Sequence, residues 1–324
     1  MSEVNLLIPV KLDRDAMSAN GSAFGAGRLS GATMGTHWSA AWYAPPALAE
    51  ERVADTFETC FAEMIAAFST WEQSSQVSRF NCLAAGEILQ VDPRVIDVLE
   101  SAIDIAVRSA GAFDPCLGAQ VWRRGFGGPG CASGNASSFA GNAVWNTLLP
   151  GDGTLRQPGG VVLDLSAIAK GYAVDEMARA LAGLGVARFL VEIGGEFAAC
   201  GVKPDGMPWW VDIETTFPAA GAFRIALCGA ALATSGDYRQ VRIADGEKVS
   251  HIVPHPCRTL TGGDLASVSV VHASCAVADA WATALFAAGD EQGMEIAERE
   301  GLAALFQYRD SPARLSRCLQ GWLA

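Results

Sequence analysis

The sequence predicts an α+β fold, with mixed, largely antiparallel sheets and helices packed against them. Strand-like alternation and helix-like periodicity are interspersed without a regular β–α–β period, which favours antiparallel pairing over a doubly wound sheet. Apolar residues make up 50% of the 324 positions, ample for a sizeable core. No internal repeat divides the chain.

Taken in order, residues 1–31 are rich in small and turn-forming residues ("SANGSAFGAGRLSG") and read as a flexible N-terminal arm, leaving 32–324 as a single domain. "ATMGTHWSAAWYA" alternates as a strand does. "ALAEERVADTFETCFAEMIAAF" then places Val53, Phe57, Phe61, Met64, Ile65 and Phe68 at helical spacing. A second helix is expected over "PRVIDVLESAIDIAVRSAG", where Pro93 follows a capping Asp92 and Gly111 closes the run. Residues 125–141 carry too much Gly, Ser and Asn for regular structure and read as a loop or flap. "LDLSAIAKGYAVDEMARALAGLG" begins like a strand and continues as a helix. Strands are expected at "ARFLVEIGGEFAACG", "WWVDIET" and "FRIALCGAALATSGDY", followed by a turn-rich stretch to Gly263, a strand at "ASVSVVHA" and a helix at "CAVADAWATALFAAG".

Composition narrows the function classes. A formal net charge of −12 argues against a general nucleic-acid or anionic-membrane surface, because those partners attract clustered Lys and Arg. No segment reaches the roughly 18 uninterrupted apolar residues of a membrane helix. The start, "MSEVNLLIPVKLDRDAM", lacks a basic region followed by an apolar run, so the expectation is a soluble cytoplasmic protein. Nine scattered cysteines show no zinc spacing and read as reduced, mostly buried thiols.

Five stretches hold residues suited to chemistry. Asp164 and Lys170 flank a strand-to-helix join, where unpaired backbone N–H groups receive anions; a helix cap and a solvated lysine explain the same two residues. Asp279 and Thr283, four apart in "ADAWATAL", put two hard oxygens on one helix face, as a Mg2+ site with a substrate phosphate requires; dipole preference and core filling are the plainer account. Phe113 and Asp114 sit in a rigid turn in "AGAFDPCLGAQVW", suited either to lining a ring-binding pocket or to turn chemistry alone. "LATSGDY" is a small-residue turn after an apolar strand. "VSHIVPHPCRTL" offers His251, which titrates near neutral pH and is suited to act as a base.

Together and in this order, the stretches resemble the FAD:protein FMN transferase (ApbE, flavin transferase) family. The resemblance spans about Thr33 to Gly289 and rests on "TMGT", "FSTWEQSSQVSRFN", "GAFDP", "LDLSAIAKGYAVD", "VEIGGE", "ATSGDY", "SHIV" and "ADAWATAL". It implies an ApbE-like fold with FAD in a cleft, and transfer of the FMN moiety of FAD to a threonine hydroxyl of an acceptor flavoprotein, with AMP leaving. By position it implies that Met34, Trp71, Ala112, Phe113, Asp114, Asp164, Lys170, His251 and Ile252 contact the flavin nucleotide. It also implies that Mg2+ is held by the Ala167 carbonyl, Asp279 and Thr283, and that Lys170, Asp279 and His251 are catalytic, His251 as base or substrate-positioning residue.

The chain departs from the family's pattern after "SHI". The segment "SHIVPHPCRTLTGG" has two extra residues, His255 where an aspartate is usual, and Leu260 in place of a turn glycine; Cys116 stands where threonine is frequent. Two further readings stay open: a Mg2+-dependent FAD pyrophosphatase giving FMN and AMP, and a protein that binds FAD without transferring it.

Overall fold

The computed structural model describes residues 4–9, 24–128, 144–148, 153–215, 217–238, 241–244, 247–253 and 265–324. Its centre is an eight-stranded sheet, antiparallel throughout. Its members, in chain order, are β2 (Gly25–Thr33), β3 (Thr36–Ala44), β6 (Phe189–Ile193), β7 (Glu196–Cys200), β10 (Ala230–Gly236), β13 (Leu265–His272), β14 (Ala303–Tyr308) and β15 (Arg314–Leu315). Their spatial order is β15-β14-β13-β10-β7-β6-β3-β2.

Side chains alternate across this sheet with the period of two that a strand imposes. Val191, Ile193, Ala231, Ala233, Val268, Val270, Ala304 and Phe306 face one core; Leu190, Leu232, Val271, Ala303 and Leu305 face another. The first core is closed by the helices α1 (Glu50–Phe68), α3 (Pro93–Arg108), α5 (Ser166–Gly183) and α6 (Cys275–Ala288). The second is closed by a three-stranded sheet in which β9 (Ala222–Leu227) lies between β1 (Val4–Leu7), parallel to it, and β8 (Trp209–Ile213), antiparallel. Three layers result.

Smaller elements complete the fold: α2 (Gln76–Asn81), α4 (Gly118–Arg123), α7 (Asp290–Glu300), α8 (Arg317–Gln320), the pair β4 (Ile88–Gln90) with β5 (Thr154–Arg156), and the hairpin β11 (Val241–Ala244) with β12 (Glu247–Ser250). The second long helix starts as its sequence demands, with Asp92 Oδ1 accepting the Arg94 N–H at 2.9 Å and Pro93 in the first turn.

Five expectations are corrected. The segment 1–31 is not simply a loose arm: Val4–Leu7 and Gly25–Thr33 are sheet strands. "ARFLVEIGGEFAACG" is two strands, because Gly194 and Gly195 take φ of 63° and 103° and turn the chain back as a tight hairpin. "FRIALCGAALATSGDY" likewise divides into β9 and β10, and the turn-rich stretch contains the β11–β12 hairpin. "LDL" before α5 is not a strand; Val162 makes a single bridge to Leu117. Residues 129–141 of the Gly-rich stretch and the altered segment from 254 to 263 lie outside the described residues. Cys60, Cys116, Cys200, Cys228, Cys275 and Cys318 form no disulfide, but Cys82 is disulfide-bonded, against the expectation of reduced cysteines.

Candidate active site

The site lies at one end of the central sheet, where hairpin tips meet the start of α5. Thr33 and Thr36 pair at the end of β2–β3, and Met34 and Gly35 close the turn with φ of 49° and 72°. Two positive φ values suit a hairpin, but on methionine the left-handed conformation costs roughly 1–2 kcal/mol. The neighbouring β6–β7 tip is tied to this one, since Gly194 donates its N–H to His37 O at 3.0 Å. Glu196, the first residue of β7, therefore sits close behind the Met34 turn.

The strand-to-helix join is assembled from three distant motifs. Asn81 clamps Leu163 from both sides: its Nδ2 donates to Leu163 O at 2.9 Å and its Oδ1 accepts the Leu163 N–H at 2.8 Å. Asp164 donates its N–H to Pro115 O at 2.9 Å, which docks "GAFDP" on "LDLS". Its Oδ1 accepts the Ser166 N–H at 2.9 Å, an Asx-type turn that leads into α5, whose N-cap position is Leu165. Within "GAFDP", Ala112 and Phe113 have side chains buried in the core, and only Asp114 of the three keeps partial exposure. Burial pushes the Asp114 carboxyl up to about 6, opposed by the Cys116 N–H that it accepts at 2.7 Å.

One turn into α5, Lys170 meets the carboxylates. Its Nζ lies 2.7 Å from Glu196 Oε1; the lysine is one-third exposed and the glutamate 2%. Burial alone would lower the lysine's pKa, but Asp279 and Glu196 outweigh it and raise it above the ordinary lysine range, so Lys170 is an ammonium. Asp279, on α6, is 2% exposed and accepts the Gly171 N–H on Oδ2 at 3.1 Å. Burial raises its pKa, Lys170 opposes that shift, and Glu196 reinforces it. The two helices come this close because residue 171 is glycine: a Cβ there would stand 2.4 Å from Cys275 O.

Helical geometry aims the Ala167 carbonyl at that same Gly171 N–H, bringing it to the Asp279 side of α5. Thr283 follows Asp279 by one turn on α6 and shares a 2.9 Å hydrogen bond with Ser235 Oγ of β10. Among the described residues, no three or more His, Cys, Asp and Glu are grouped as a metal site. A carbonyl, a carboxylate and a hydroxyl are nonetheless the hard oxygen donors that Mg2+ takes, with waters and phosphate completing its shell.

Trp71 and His251 are both reached by the segment that follows α4. Trp71 is 61% exposed, unusual for so large an apolar ring. Gly128 runs against its backbone, where a Cβ would lie 2.6 Å from Trp71 Cα. Two residues earlier, Phe126 meets the His251 ring edge-on at 6.0 Å, and Arg124 Nη1 donates to Ser250 O at 3.4 Å. The segment 124–128 thus links Trp71 to His251. Ile252 is buried in the core beside it.

Sequence reasoning missed three residues. Asn81 and Asp175 stood inside quoted motifs without a task, and Glu196 closed "VEIGGE". Asp175 accepts from Ser274 Oγ at 2.7 Å and from the backbone N–H groups of Cys275 and Ala276 at 2.8 and 3.1 Å, capping α6 from α5. The signal available was residue type: a carboxylate in an apolar helix face, and another after a double-glycine turn.

Comparison with known proteins identifies the family. Residues 34–306 match the ApbE family. A Vibrio cholerae protein named FAD:protein FMN transferase is 32% identical over 286 residues, covering 86% of each chain. An Escherichia coli K12 protein of the same name is 29% identical over 85% of this chain and 82% of its own. Among solved structures, the apo form of Pseudomonas stutzeri flavinyl transferase ApbE superposes with a TM-score of 0.79 at 30% identity, covering 94% of this chain and all of that one. With the family's motifs gathered at one end of the sheet, this chain belongs to the ApbE family.

Proposed function

We propose that this chain transfers the FMN moiety of FAD to a threonine hydroxyl of an acceptor flavoprotein and releases AMP. The observation that carries the reading is the meeting of Lys170 with the buried carboxylates in the first turns of α5, its Nζ 2.7 Å from Glu196 Oε1 and within electrostatic reach of Asp279, which sets an ammonium where a nucleotide's phosphates would be held. The threonine oxygen attacks the phosphorus on the FMN side, the bond from that phosphorus to the oxygen bridging to AMP breaks, and AMP departs with the electron pair. Such a displacement needs in-line positioning and neutralised oxygens more than covalent help.

In this reading Lys170 binds the pyrophosphate oxygens, and His251 takes the proton of the threonine hydroxyl. Met34, Trp71 and Asp114 line the flavin nucleotide, with Ala112, Phe113 and Ile252 backing them and Asp164 holding the join. Ala167, Asp279 and Thr283 would hold Mg2+, which supplies further positive charge to the phosphates when bound.

The test is to incubate the purified protein with FAD and Mg2+, with and without a threonine-bearing acceptor domain, following AMP and acceptor mass together. AMP with an FMN-sized gain on the acceptor is the expected result. AMP with free FMN alone would replace the reading by a pyrophosphatase, and bound, uncleaved FAD with several acceptors would replace it by a flavin-binding protein.

A further inference from the structure

The transfer chemistry leaves one buried carboxylate without a task. Glu196 is 2% exposed, and its Oε1 lies 2.7 Å from Lys170 Nζ. Its Oε2 is also buried and has no hydrogen-bond partner among the described residues. That oxygen borders the space left by the missing Cβ of Gly194: a Cβ there would lie 3.4 Å from Glu196 Oε2 and 3.2 Å from Thr36 Oγ1. An unpaired buried carboxylate oxygen is costly, and its persistence calls for an explanation.

The local charge is unbalanced as well. Among the described residues, the two 2%-exposed carboxylates of Glu196 and Asp279 face the Lys170 ammonium and, at Asp279, the His251 ring, so acidic groups outnumber permanent cations at the join. A buried charge left without compensation is strongly destabilising, so a counter-charge is favoured there.

We propose that Glu196 is a positioning residue of the transfer site: it pins Lys170 through Oε1, and its charge makes the cluster attractive to a divalent cation beside Asp279. Its Oε2, buried beside Gly194 and Thr36 without a hydrogen-bond partner among the described residues, keeps the carboxylate shielded from water so that its charge acts undiluted on the cluster. The assignment rests on the transferase reading for its purpose. The charge deficit explains how one site serves both an ammonium and a cation: with a divalent ion added, the cluster becomes net positive and fits an anionic pyrophosphate.

The experiment uses Mn2+ as probe on the full chain, with binding followed by electron paramagnetic resonance and AMP release measured against Mg2+ concentration. Glu196→Gln keeps the shape and removes the charge; it is expected to weaken Mn2+ binding by roughly tenfold to a hundredfold, the range typical of groups that orient metal ligands. The Mg2+ concentration for half-maximal AMP release should rise by a similar factor, and Glu196→Asp should recover part of the loss. A purely structural role would lower the melting temperature without moving Mn2+ affinity. Equal Mn2+ affinity in wild type and Glu196→Gln overturns the assignment; should that variant not fold, equal affinity in the charge-free Glu196→Ala does so. Wild-type protein that takes up no Mn2+ also overturns it, whether or not FMN is transferred. Glu196-dependent Mn2+ binding without FMN transfer to any acceptor removes the transferase reading and leaves the cation assignment standing.

Discussion

The carboxylate of Asp279 and the backbone N–H of Gly171 are hydrogen-bonded at 3.1 Å across the contact between α5 and α6. This joins the two helices where the proposed chemistry needs them joined. Gly171→Ala introduces a methyl 2.4 Å from Cys275 O and 2.8 Å from Ala276 Cα, against backbone that cannot rotate away. The expected cost is roughly 1–3 kcal/mol of stability, as for other overpacked sites. A fall in the urea midpoint together with loss of AMP release is the expected outcome; an unchanged midpoint would show that the helices separate freely.

Asp175 carries the N-terminus of α6. Its replacement by alanine removes three hydrogen bonds and a favourable charge at the helix start, at a cost of roughly 1–2 kcal/mol. Asp175→Asn should fall between wild type and Asp175→Ala. Guanidinium unfolding of the three proteins checks the order.

Asp114 makes stability depend on pH in a stated direction. Burial holds its folded-state carboxyl at about 6, above the ordinary aspartate value of about 3.9, so between these values the folded protein binds more protons than the unfolded one. This contribution is full below about pH 4 and is lost as pH rises to about 6, a change on the order of 3 kcal/mol. Melting curves from pH 4 to pH 7.5 should therefore show Asp114→Asn gaining on wild type as pH rises; parallel curves would contradict the burial argument.

Met34 should give stability and binding effects of opposite sign. Met34→Gly relieves the left-handed strain and should raise stability by up to about 1 kcal/mol, part of the relief being lost to the greater freedom of glycine in the unfolded chain. The same change removes the side chain proposed to line the flavin nucleotide, so FAD affinity, read by flavin fluorescence, should fall. A gain in both would take Met34 out of the site.

The long helices were legible because burial on one face leaves a periodic trace, as at Val53, Phe57 and Phe61, and the site motifs were legible because small residues and turns recur at fixed offsets. What escaped depended on partners distant in sequence. The strand Gly25–Thr33 reads as loose because Gly27 and Gly31 offer nothing to pack, yet Trp42 and Trp38 stand directly opposite them. Their indoles fill the room that side chains would take: a Cβ at Gly27 would lie 2.2 Å from Trp42 Cε2, and one at Gly31 2.7 Å from Trp38 Nε1. Glu196 escaped for a related reason. Its ion pair with Lys170 joins a sheet and a helix, and no spacing along the chain encodes that meeting.

The two indole–glycine contacts also bear on how the sheet edge tolerates change. Each glycine and its tryptophan form one unit of inheritance: a larger residue at position 27 or 31 is blocked while the indole remains, and a smaller residue at 42 or 38 opens a void while the glycine remains. Exchange at this edge therefore has to pass through paired substitutions. A random library should return survivors with both members altered far more often than independent sites would allow.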